Sequence, residues 1–426
     1  MIYNYIYILL LPFISGIVIV LLPKKINLLF FRFISTCHLI MTFLIYSRLS
    51  NQSWRYVLGG WGSSYGIEFK ISHDSLLLIS LISLSLFLCS FFIDIAIEKR
   101  GLVLSCLFLV ITGLIGLVMT NDIFNSYVFL ELSSLATYAL ITLGKDKYQS
   151  LKASFDYLII GTLGATFYLI GIGILYIVSG NLNFDIVLNY FNSNADNTIA
   201  NLAVTFIVLG LLIKMAVIPF HNWLINSYKN SPLFAVLIFS GVSTKVIIFI
   251  LYKYFSLLSM NNVIQNTIIS SCLVTIIWGG ISAYRAKCLR ELLAYSSISH
   301  IGYIGLALVV SNGNFEMVNY QILYHFVSKV CLFIFVGYIE KKYDDSAIFN
   351  LNGFLYKDTK LTIILYFLLA NLIGLPFLFG FTAKLMLMNY VINSSNIYSA
   401  LLLIFGNLIS LMYCFKLVFI TFDKKT

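Results

Sequence analysis

Long, nearly uninterrupted runs of apolar residues fill most of this sequence, and short polar segments separate them. A run of about twenty apolar residues is long enough to cross the ~30 Å hydrocarbon layer of a membrane as a helix. The runs fall near residues 2–22, 27–47, 75–95, 102–120, 123–143, 150–179, 199–226, 231–255, 264–285, 291–311, 317–340, 361–391 and 395–421. The sequence lacks the alternation typical of a membrane β-barrel. The pattern therefore predicts an all-α polytopic membrane protein with about thirteen transmembrane spans.

Two of the predicted spans are interrupted by helix-breaking residues. Pro219 lies within the seventh span, and Gly374 and Pro376 lie within the twelfth. Such breaks survive in a membrane only where protein or water satisfies the freed backbone groups. Breaks at corresponding places in two halves are typical of transporters built from inverted repeats. We therefore expect spans 4–8 and 9–13 to form two inverted five-helix repeats, with broken helices at spans 7 and 12.

These repeats divide the chain into three predicted parts. Residues 1–100 contain spans 1–3, residues 101–255 form the first repeat, and residues 256–426 form the second repeat. Between spans 2 and 3, residues 48–74 contain paired glycines and the alternating run YGIEFKI, which together predict a small β-hairpin on the outer face. The N-terminal segment lacks a basic region and a small-residue cleavage site. We interpret it as the first span rather than as a signal peptide.

Charged residues are few and unevenly distributed. The 426 residues are 60% hydrophobic and 10% charged, which excludes a soluble globular protein. The net charge of +10 arises from lysines and arginines in alternate inter-span segments, so it indicates membrane topology rather than nucleic-acid binding. This asymmetry predicts an N-terminus outside and a C-terminus inside. The seven cysteines form no C-x-x-C pair, and the sequence has no GxGxxG, Walker or HExxH motif, so we expect no cofactor and no metal.

Among the charged residues of the predicted spans, four lysines and one glutamate lie deep inside apolar runs, where an ammonium group costs about 2.5–3.5 kcal/mol on insertion scales. They are Glu131, Lys214, Lys245, Lys329 and Lys384. Charges inside a membrane are rarely kept without a use, so these residues predict a buried polar path that carries protons or small cations. A desolvated lysine can exchange its proton, which makes it a candidate proton carrier.

Glu131 lies near the centre of span 5 and has the opposite sign to the buried lysines, and we expect it to pair with Lys214. Opening and closing this pair would load and release a proton. The alternative for the pair is a static structural ion pair. The alternative for Lys214 alone is a side chain that reaches the membrane interface.

Histidines extend the predicted path. His325 and Lys329 are four residues apart and share one helical face, and His300 lies among small hydroxyl residues. His221 follows Lys214 by seven residues and shares its helical face if the break permits. A hydrogen-bonded packing role is the alternative for His300. For His221 the alternatives are a cap of the broken helix or a hydrogen bond to a carbonyl group.

The remaining lysines complete the predicted relay. Lys245 follows Ser243 and Thr244, whose hydroxyl groups are positioned to hold water near the amine. Lys384 follows the second break by eight residues, and we expect it to serve as a proton exit.

The chain resembles the antiporter-like membrane subunits shared by respiratory complex I and the multisubunit Mrp-type cation/proton antiporters. The resemblance runs from about residue 58 to 386 through LGGWGSSYGIEFKISHDSLLLI, NDIFNSYVFLELSSLATYAL, LLIKMAVIPFHNWL, SPLFAVLIFSGVSTKV, LRELLAYSSISHIGYIG, YHFVSKVCLF and IGLPFLFGFTAKL. It implies the following family residues: Glu131 of span 5, Lys214 of span 7, Lys245 of span 8, Lys384 of span 12, and His300 and Lys329 on the central hydrophilic axis. The family usually has fourteen helices, whereas this sequence predicts thirteen.

The resemblance implies a proton-translocating subunit of a heteromeric complex in the lipid bilayer of an energy-transducing membrane, with other membrane subunits as partners. H⁺ is the expected transported ion, and Na⁺ is the candidate second ion. The GGW…YGIE and FLELSSLATYAL runs look closer to the D-type Mrp subunit, so a Na⁺/H⁺ antiporter subunit of a bacterial plasma membrane is the main interpretation. A proton-pumping subunit of NADH:quinone oxidoreductase is the alternative, with a mitochondrial inner membrane as the second location. A non-conducting scaffold and a quinone-binding redox subunit are rivals of other classes.

Overall fold

The computed structural model describes residues 5–49, 53–62, 65–93, 97, 99–193, 198–255, 262–343, 347–393 and 397–423. Most of these residues are helical. The helices are α1 (Tyr7–Leu21), α2 (Lys24–Arg48), α3 (His73–Cys89), α4 (Arg100–Met119), α5 (Ile123–Ile141), α6 (Lys147–Ser179), α7 (Phe184–Ser193), α8 (Thr198–Lys214), α9 (Asn222–Asn230), α10 (Leu233–Lys253), α11 (Asn262–Arg285), α12 (Leu289–Val310), α13 (Phe315–Tyr343), α14 (Phe354–Lys357), α15 (Thr359–Ile373), α16 (Phe379–Asn393) and α17 (Ile397–Phe422). Two short 3-10 turns, Leu58–Gly60 and Ile348–Leu351, complete the helical segments.

Eight of the described helices are long and apolar enough to cross a membrane. They are α2, α4, α6, α10, α11, α12, α13 and most of α17. Four shorter apolar helices, α1, α3, α8 and α15, accompany them. The prediction of a helical membrane protein is therefore confirmed, and the count of thirteen spans stays a prediction.

Sequence signals explain where several helices begin and end. Ser72 and Ser75 form a capping box at the start of α3. Asp122, Asp146 and Asp358 each accept a hydrogen bond from a main-chain N–H in the first turn of α5, α6 and α15. These side chains satisfy N–H groups that the helix itself leaves without a partner.

The predicted β-hairpin between spans 2 and 3 is confirmed. Strand β1 (Trp54–Val57) pairs antiparallel with β2 (Glu68–Ile71), so that Trp54 lies opposite Ile71. Residues 50–52 and 63–64 of the predicted segment lie outside the described residues. The alternation of polar and apolar residues in the run YGIEFKI predicted the second strand, because successive side chains of a strand point to opposite faces of a sheet.

Polar side chains fix the hairpin to neighbouring helix ends. Glu68 is buried and accepts hydrogen bonds from Asn121 at 2.8 Å and from Asn183 at 2.7 Å. Lys70 lies 3.1 Å from Asp185 of α7. The hairpin is therefore tied to the segments that precede α5 and α7.

The chain forms two compact units. The first comprises Met1–Met215 and Asn230–Asn262, and the second comprises Ala216–Lys229 and Val263–Thr426. In the first unit, α6 packs extensively against α8, and α4 packs against α1 and α5. In the second unit, α12 packs against α13, and α15, α16 and α17 pack against one another. The three-part division at residues 100 and 255 stays a prediction.

Both predicted helix breaks are present. Residues 215–221 separate α8 from α9, and residues 374–378 separate α15 from α16. Pro219 and Pro376 lie within these breaks and are exposed. Gly374 has φ 85°, a left-handed conformation that glycine adopts without steric penalty, and it ends α15.

Candidate functional site

The charge pair of the first unit consists of Glu131 on α5 and Lys214, the last residue of α8. Lys214 Nζ lies 3.4 Å from Glu131 Oε1 and donates a hydrogen bond to Ser134 Oγ at 3.0 Å. The Lys214 side chain is 2% exposed, whereas that of Glu131 is 20% exposed. Ser134 follows Glu131 by three residues, so both side chains point to the same side of α5. The expected proximity of Glu131 and Lys214 is confirmed.

Space for the lysine head comes from a glycine on α6. A Cβ atom added at Gly161 would lie 2.4 Å from the Tyr138 hydroxyl and 3.5 Å from Lys214 Nζ. Any larger residue would therefore displace the hydroxyl beside the charge pair. Ser134, Tyr138 and Gly161 were not predicted as site residues, because short polar residues and glycines are frequent throughout these spans.

Lys245 is fully buried within α10. Residues Phe239–Ser243 form a π-helical turn, and Lys245 Nζ donates a hydrogen bond to the main-chain carbonyl of Ser240 in this turn. Insertions of this kind are frequent at functional sites because they redirect backbone groups. The hydroxyl of Ser243 donates to the carbonyl of Ile238 at 3.5 Å.

In the second unit, α12 and α13 bring two matched pairs of side chains face to face. Lys329 donates a hydrogen bond to Ser296 Oγ, and the ring centroids of His300 and His325 are 5.6 Å apart. Ser296 and His300 are four residues apart on α12, as His325 and Lys329 are on α13. All four residues are buried. The sequence predicted both histidines and the lysine, and the structure adds Ser296.

Lys384 lies on α16 near the second break. Its Nζ donates to the carbonyl of Ile373 at 2.9 Å and to Ser410 Oγ at 3.2 Å. It also lies 5.8 Å from the ring centroid of Tyr303, whose ring is in turn 5.6 Å from that of His300. Tyr303 therefore lies between Lys384 and the histidine pair.

A buried lysine lies at each of the two breaks. Lys214 is the last residue of the half-helix α8, and the ammonium group of Lys384 binds the last carbonyl of the half-helix α15. The C-terminal end of a helix carries a partial negative charge from its unsatisfied carbonyl groups. The end of α15 therefore stabilises the ammonium group of Lys384, whereas the Lys214 ammonium group has Glu131 and Ser134 on α5 as its partners.

Side chains complete the second break. Asn371 donates to Ser328 Oγ at 2.9 Å and accepts a hydrogen bond from the main-chain N–H of Gly380 at 3.1 Å. Tyr324 donates to the carbonyl of Leu372 at 2.5 Å. A Cβ atom at Gly380 would lie 2.0 Å from the Asn371 carbonyl oxygen, so only glycine fits there. These contacts satisfy backbone groups that the interruption frees.

His221 lies in the segment between α8 and α9, where the backbone is not helical. The break therefore does not permit a continuous helical face from Lys214 to His221, and that expectation is wrong. Main-chain φ is 61° at Ala216, which already departs from the helical path. His221 Nδ1 lies 3.3 Å from the carbonyl oxygen of Pro219.

A known protein family matches most of this chain. Residues 120–410 match the family described as NADH:quinone oxidoreductase/Mrp antiporter, TM. The match includes both helix breaks and all the charged site residues.

Two kinds of relative are similar to the chain. NADH-quinone oxidoreductase subunit N of Desulforudis audaxviator is 32% identical over 381 residues, which cover 86% of this chain and 75% of that protein. The putative antiporter subunit mnhD2 of Staphylococcus aureus is 27% identical over 424 residues, which cover 96% of this chain and 84% of that protein.

Solved structures share the fold. A chain of the membrane-bound sulfane sulfur reductase, an archaeal respiratory membrane complex, superposes with TM-score 0.93 at 24% identity, covering 99% of this chain and 88% of that chain. A chain of the Mrp complex from Dietzia sp. superposes with TM-score 0.89 at 23% identity, covering 98% and 80%. The chain therefore belongs to the family of NADH:quinone oxidoreductase and Mrp antiporter membrane subunits.

Proposed function

We propose that this chain is a proton-translocating, antiporter-like subunit of a heteromeric membrane complex. The buried Glu131–Lys214 pair at the end of a half-helix carries this proposal. Its lysine is almost fully buried and depends on one carboxylate for charge compensation, so movement of either group changes how readily the lysine holds its proton. When the pair opens, the buried lysine loses its compensating charge, which favours release of its proton.

The proposed relay uses the titratable groups inside the spans. Its members are Glu131, Lys214, His221, Lys245, His300, His325, Lys329 and Lys384. In the first unit, the pair Glu131–Lys214 loads and releases the proton. In the second unit, the contacts among Lys329, Ser296 and the two histidines support a continuous polar track toward Lys384.

We also propose that spans 4–8 and 9–13 are inverted repeats within a thirteen-span chain. In the first proposed repeat, Lys253 of the last helix donates to the carbonyl groups of Val118 and Thr120, on either side of the final residue of α4. In the second, Lys416 of the last helix donates to the carbonyl groups of Tyr284 and Ala286, on either side of the final residue of α11. Equivalent helices are five positions apart in the order of spans. Because five is odd, they cross the membrane in opposite directions.

Two other contacts recur at equivalent places. The first helix of each proposed repeat approaches the second so closely that a Cβ atom at a glycine would lie 2.7 Å from a serine, at Gly113 with Ser133 and at Gly279 with Ser299. The main-chain N–H of Phe184 donates to the Asn121 carbonyl at 2.9 Å, and that of Ile348 donates to the Lys287 carbonyl at 3.0 Å. Matched contacts of three kinds support a common ancestor for the two halves.

The main candidate is the D-type member of a Na⁺/H⁺ antiporter complex in a bacterial plasma membrane. The alignment with the putative antiporter protein mnhD2, which covers 96% of this chain, favours it. The alternative is a proton-pumping membrane subunit of NADH:quinone oxidoreductase, which the 32% identity to the Desulforudis audaxviator protein favours. Both place the chain among other membrane subunits, with H⁺ as the transported ion.

Proton movement in inverted membrane vesicles tests the proposal and separates its two forms. Vesicles containing the complete complex are given a pH gradient, and its collapse is followed with a pH-sensitive dye. Collapse on addition of NaCl is the result expected for the antiporter. A gradient generated by NADH and quinone, with no response to NaCl, supports the alternative. The absence of both responses in an assembled complex would contradict proton translocation and favour a scaffold.

A further inference from the structure

An apolar groove lies between α1 and α2. Its volume is about 420 Å³, within the range of small-molecule sites in proteins. The side chains along it include Ile8, Cys37, Met41, Leu44, Ile45 and Arg48. Tyr5 and Tyr7 also line the groove, and Arg48 is its charged residue, exposed at the end of α2.

The first helix has a defect beside this groove. Pro12 lies inside α1 and has no N–H to donate to the carbonyl of Ile8, one turn earlier. The buried His38 of α2 takes this place, with its Nε2 atom 3.0 Å from the Ile8 oxygen. Ile8 is itself a groove residue. A hydrogen bond between α1 and α2 therefore lies at the floor of the groove.

The length of the groove matches one leaflet of a bilayer. From Cys37 to Arg48 the groove follows one face of α2, which corresponds to a rise of ~16 Å at 1.5 Å per residue. One leaflet contributes about 15 Å of hydrocarbon, half of the ~30 Å core. An acyl chain that lies along this face therefore reaches the membrane surface at Arg48.

We propose that the groove between α1 and α2 binds one acyl chain of an anionic phospholipid, whose phosphate is held by Arg48. The exposed side chains of Ile40 and Leu44, 55% and 49% accessible, leave the groove open along its length. A guanidinium group can form two parallel hydrogen bonds to a phosphate group. The charge at one end and the apolar lining elsewhere match the two parts of such a lipid.

Cys37 provides a native reporter inside the groove. The complete complex is placed in nanodiscs of phosphatidylcholine, with or without phosphatidylglycerol, and treated with N-ethylmaleimide. Alkylation of Cys37 is then measured by peptide mass spectrometry. Cys331 on α13, also half-buried, serves as an internal control.

Phosphatidylglycerol should slow alkylation of Cys37 several-fold in the wild type and leave Cys331 unchanged. Arg48→Gln should abolish the slowing, whereas Lys25→Gln, which removes a charge at the opposite end of α2, should retain it. Inorganic phosphate in phosphatidylcholine nanodiscs should not slow the alkylation, because it has no acyl chain that could cover the Cys37 thiol. If Arg48→Gln does not assemble, Leu44→Trp should fill the groove and remove the lipid effect.

Two results would overturn the proposal. Equal alkylation rates of Cys37 in both lipid compositions would show that no anionic lipid occupies the groove, including the case in which a partner subunit covers it. Slowing by phosphatidylglycerol that persists unchanged in Arg48→Gln would show that Arg48 does not hold the phosphate.

Discussion

Lys214 Nζ and Glu131 Oε1 are 3.4 Å apart, and the two side chains differ in their exposure. The lysine is almost completely buried at the end of α8, whereas the carboxylate of α5 retains partial access to its surroundings. Removing one member of a buried pair leaves the other charge uncompensated. Loss of the carboxylate would therefore leave the buried Lys214 charge without compensation.

Glu131→Gln should reduce proton translocation by at least about tenfold, because the amide cannot compensate the Lys214 charge. Glu131→Asp keeps the charge at a shorter reach and should retain more activity. The measurement is proton movement in vesicles, normalised to the amount of assembled complex. Glu316→Gln, at an exposed position on α13, serves as the matched control and should be unaffected. Equal activities of the Gln and Asp variants would argue against a role for the carboxylate charge.

Lys253→Met and Lys416→Met test the proposed repeats. Each substitution removes an ammonium group from the C-terminal end of a helix, an interaction worth about 0.3–2 kcal/mol. Both variants should lower the unfolding temperature of the complex in detergent, and Lys→Arg at either position should restore part of the loss. A loss at only one of the two positions would contradict their equivalence.

Gly380→Ala should destabilise the second helix break. The added methyl group would meet the Asn371 carbonyl oxygen at 2.0 Å, and overpacking of this kind costs about 1–3 kcal/mol. Gly173→Ala on α6 is the matched control, because a Cβ atom there meets nothing within 4 Å. Gly380→Ala should lower the unfolding temperature of the complex clearly more than Gly173→Ala does. Similar small effects would show that the break tolerates a side chain.

Arg290 should couple energetically to Glu340. Arg290 Nε and Nη2 both lie 2.6 Å from carboxylate oxygens of Glu340, and its Nη1 lies 3.4 Å from the carbonyl oxygen of Lys229 in α9. The pair therefore holds the half-helix that follows the first break. In a double-mutant cycle of unfolding with Arg290→Ala and Glu340→Ala, we expect a coupling energy of about 1 kcal/mol. Strict additivity would mean that the contact contributes no stabilisation.

The sequence predicted the parts of this structure that depend on long-range periodicity and on strong local signals. Apolar runs located the helices, and Pro219 and Gly374 located the breaks, because proline and glycine act directly on the backbone. The Glu131–Lys214 pair was predictable because an isolated membrane charge needs a partner.

Other features depend on tertiary packing and were not predictable. Ser134, Ser296 and Asn371 are ordinary polar residues. They form hydrogen bonds with other residues of the site only because neighbouring helices approach each other there. The expected face shared by Lys214 and His221 failed for a related reason. The break extends over residues 215–221, so counting residues along an ideal helix does not apply there.

Replacement of Lys214 shows whether this lysine carries the proton. Proton movement is measured in vesicles that contain equal amounts of assembled complex with Lys214→Ala, Lys214→Arg or the control Lys152→Ala, whose lysine is exposed on α6. Lys214→Ala removes the titratable group, and Lys214→Arg keeps a charge that does not release its proton at physiological pH. We expect loss of translocation in both Lys214 variants and normal translocation in the control. Full translocation by assembled Lys214→Ala or Lys214→Arg complexes would contradict a role of Lys214 as proton carrier.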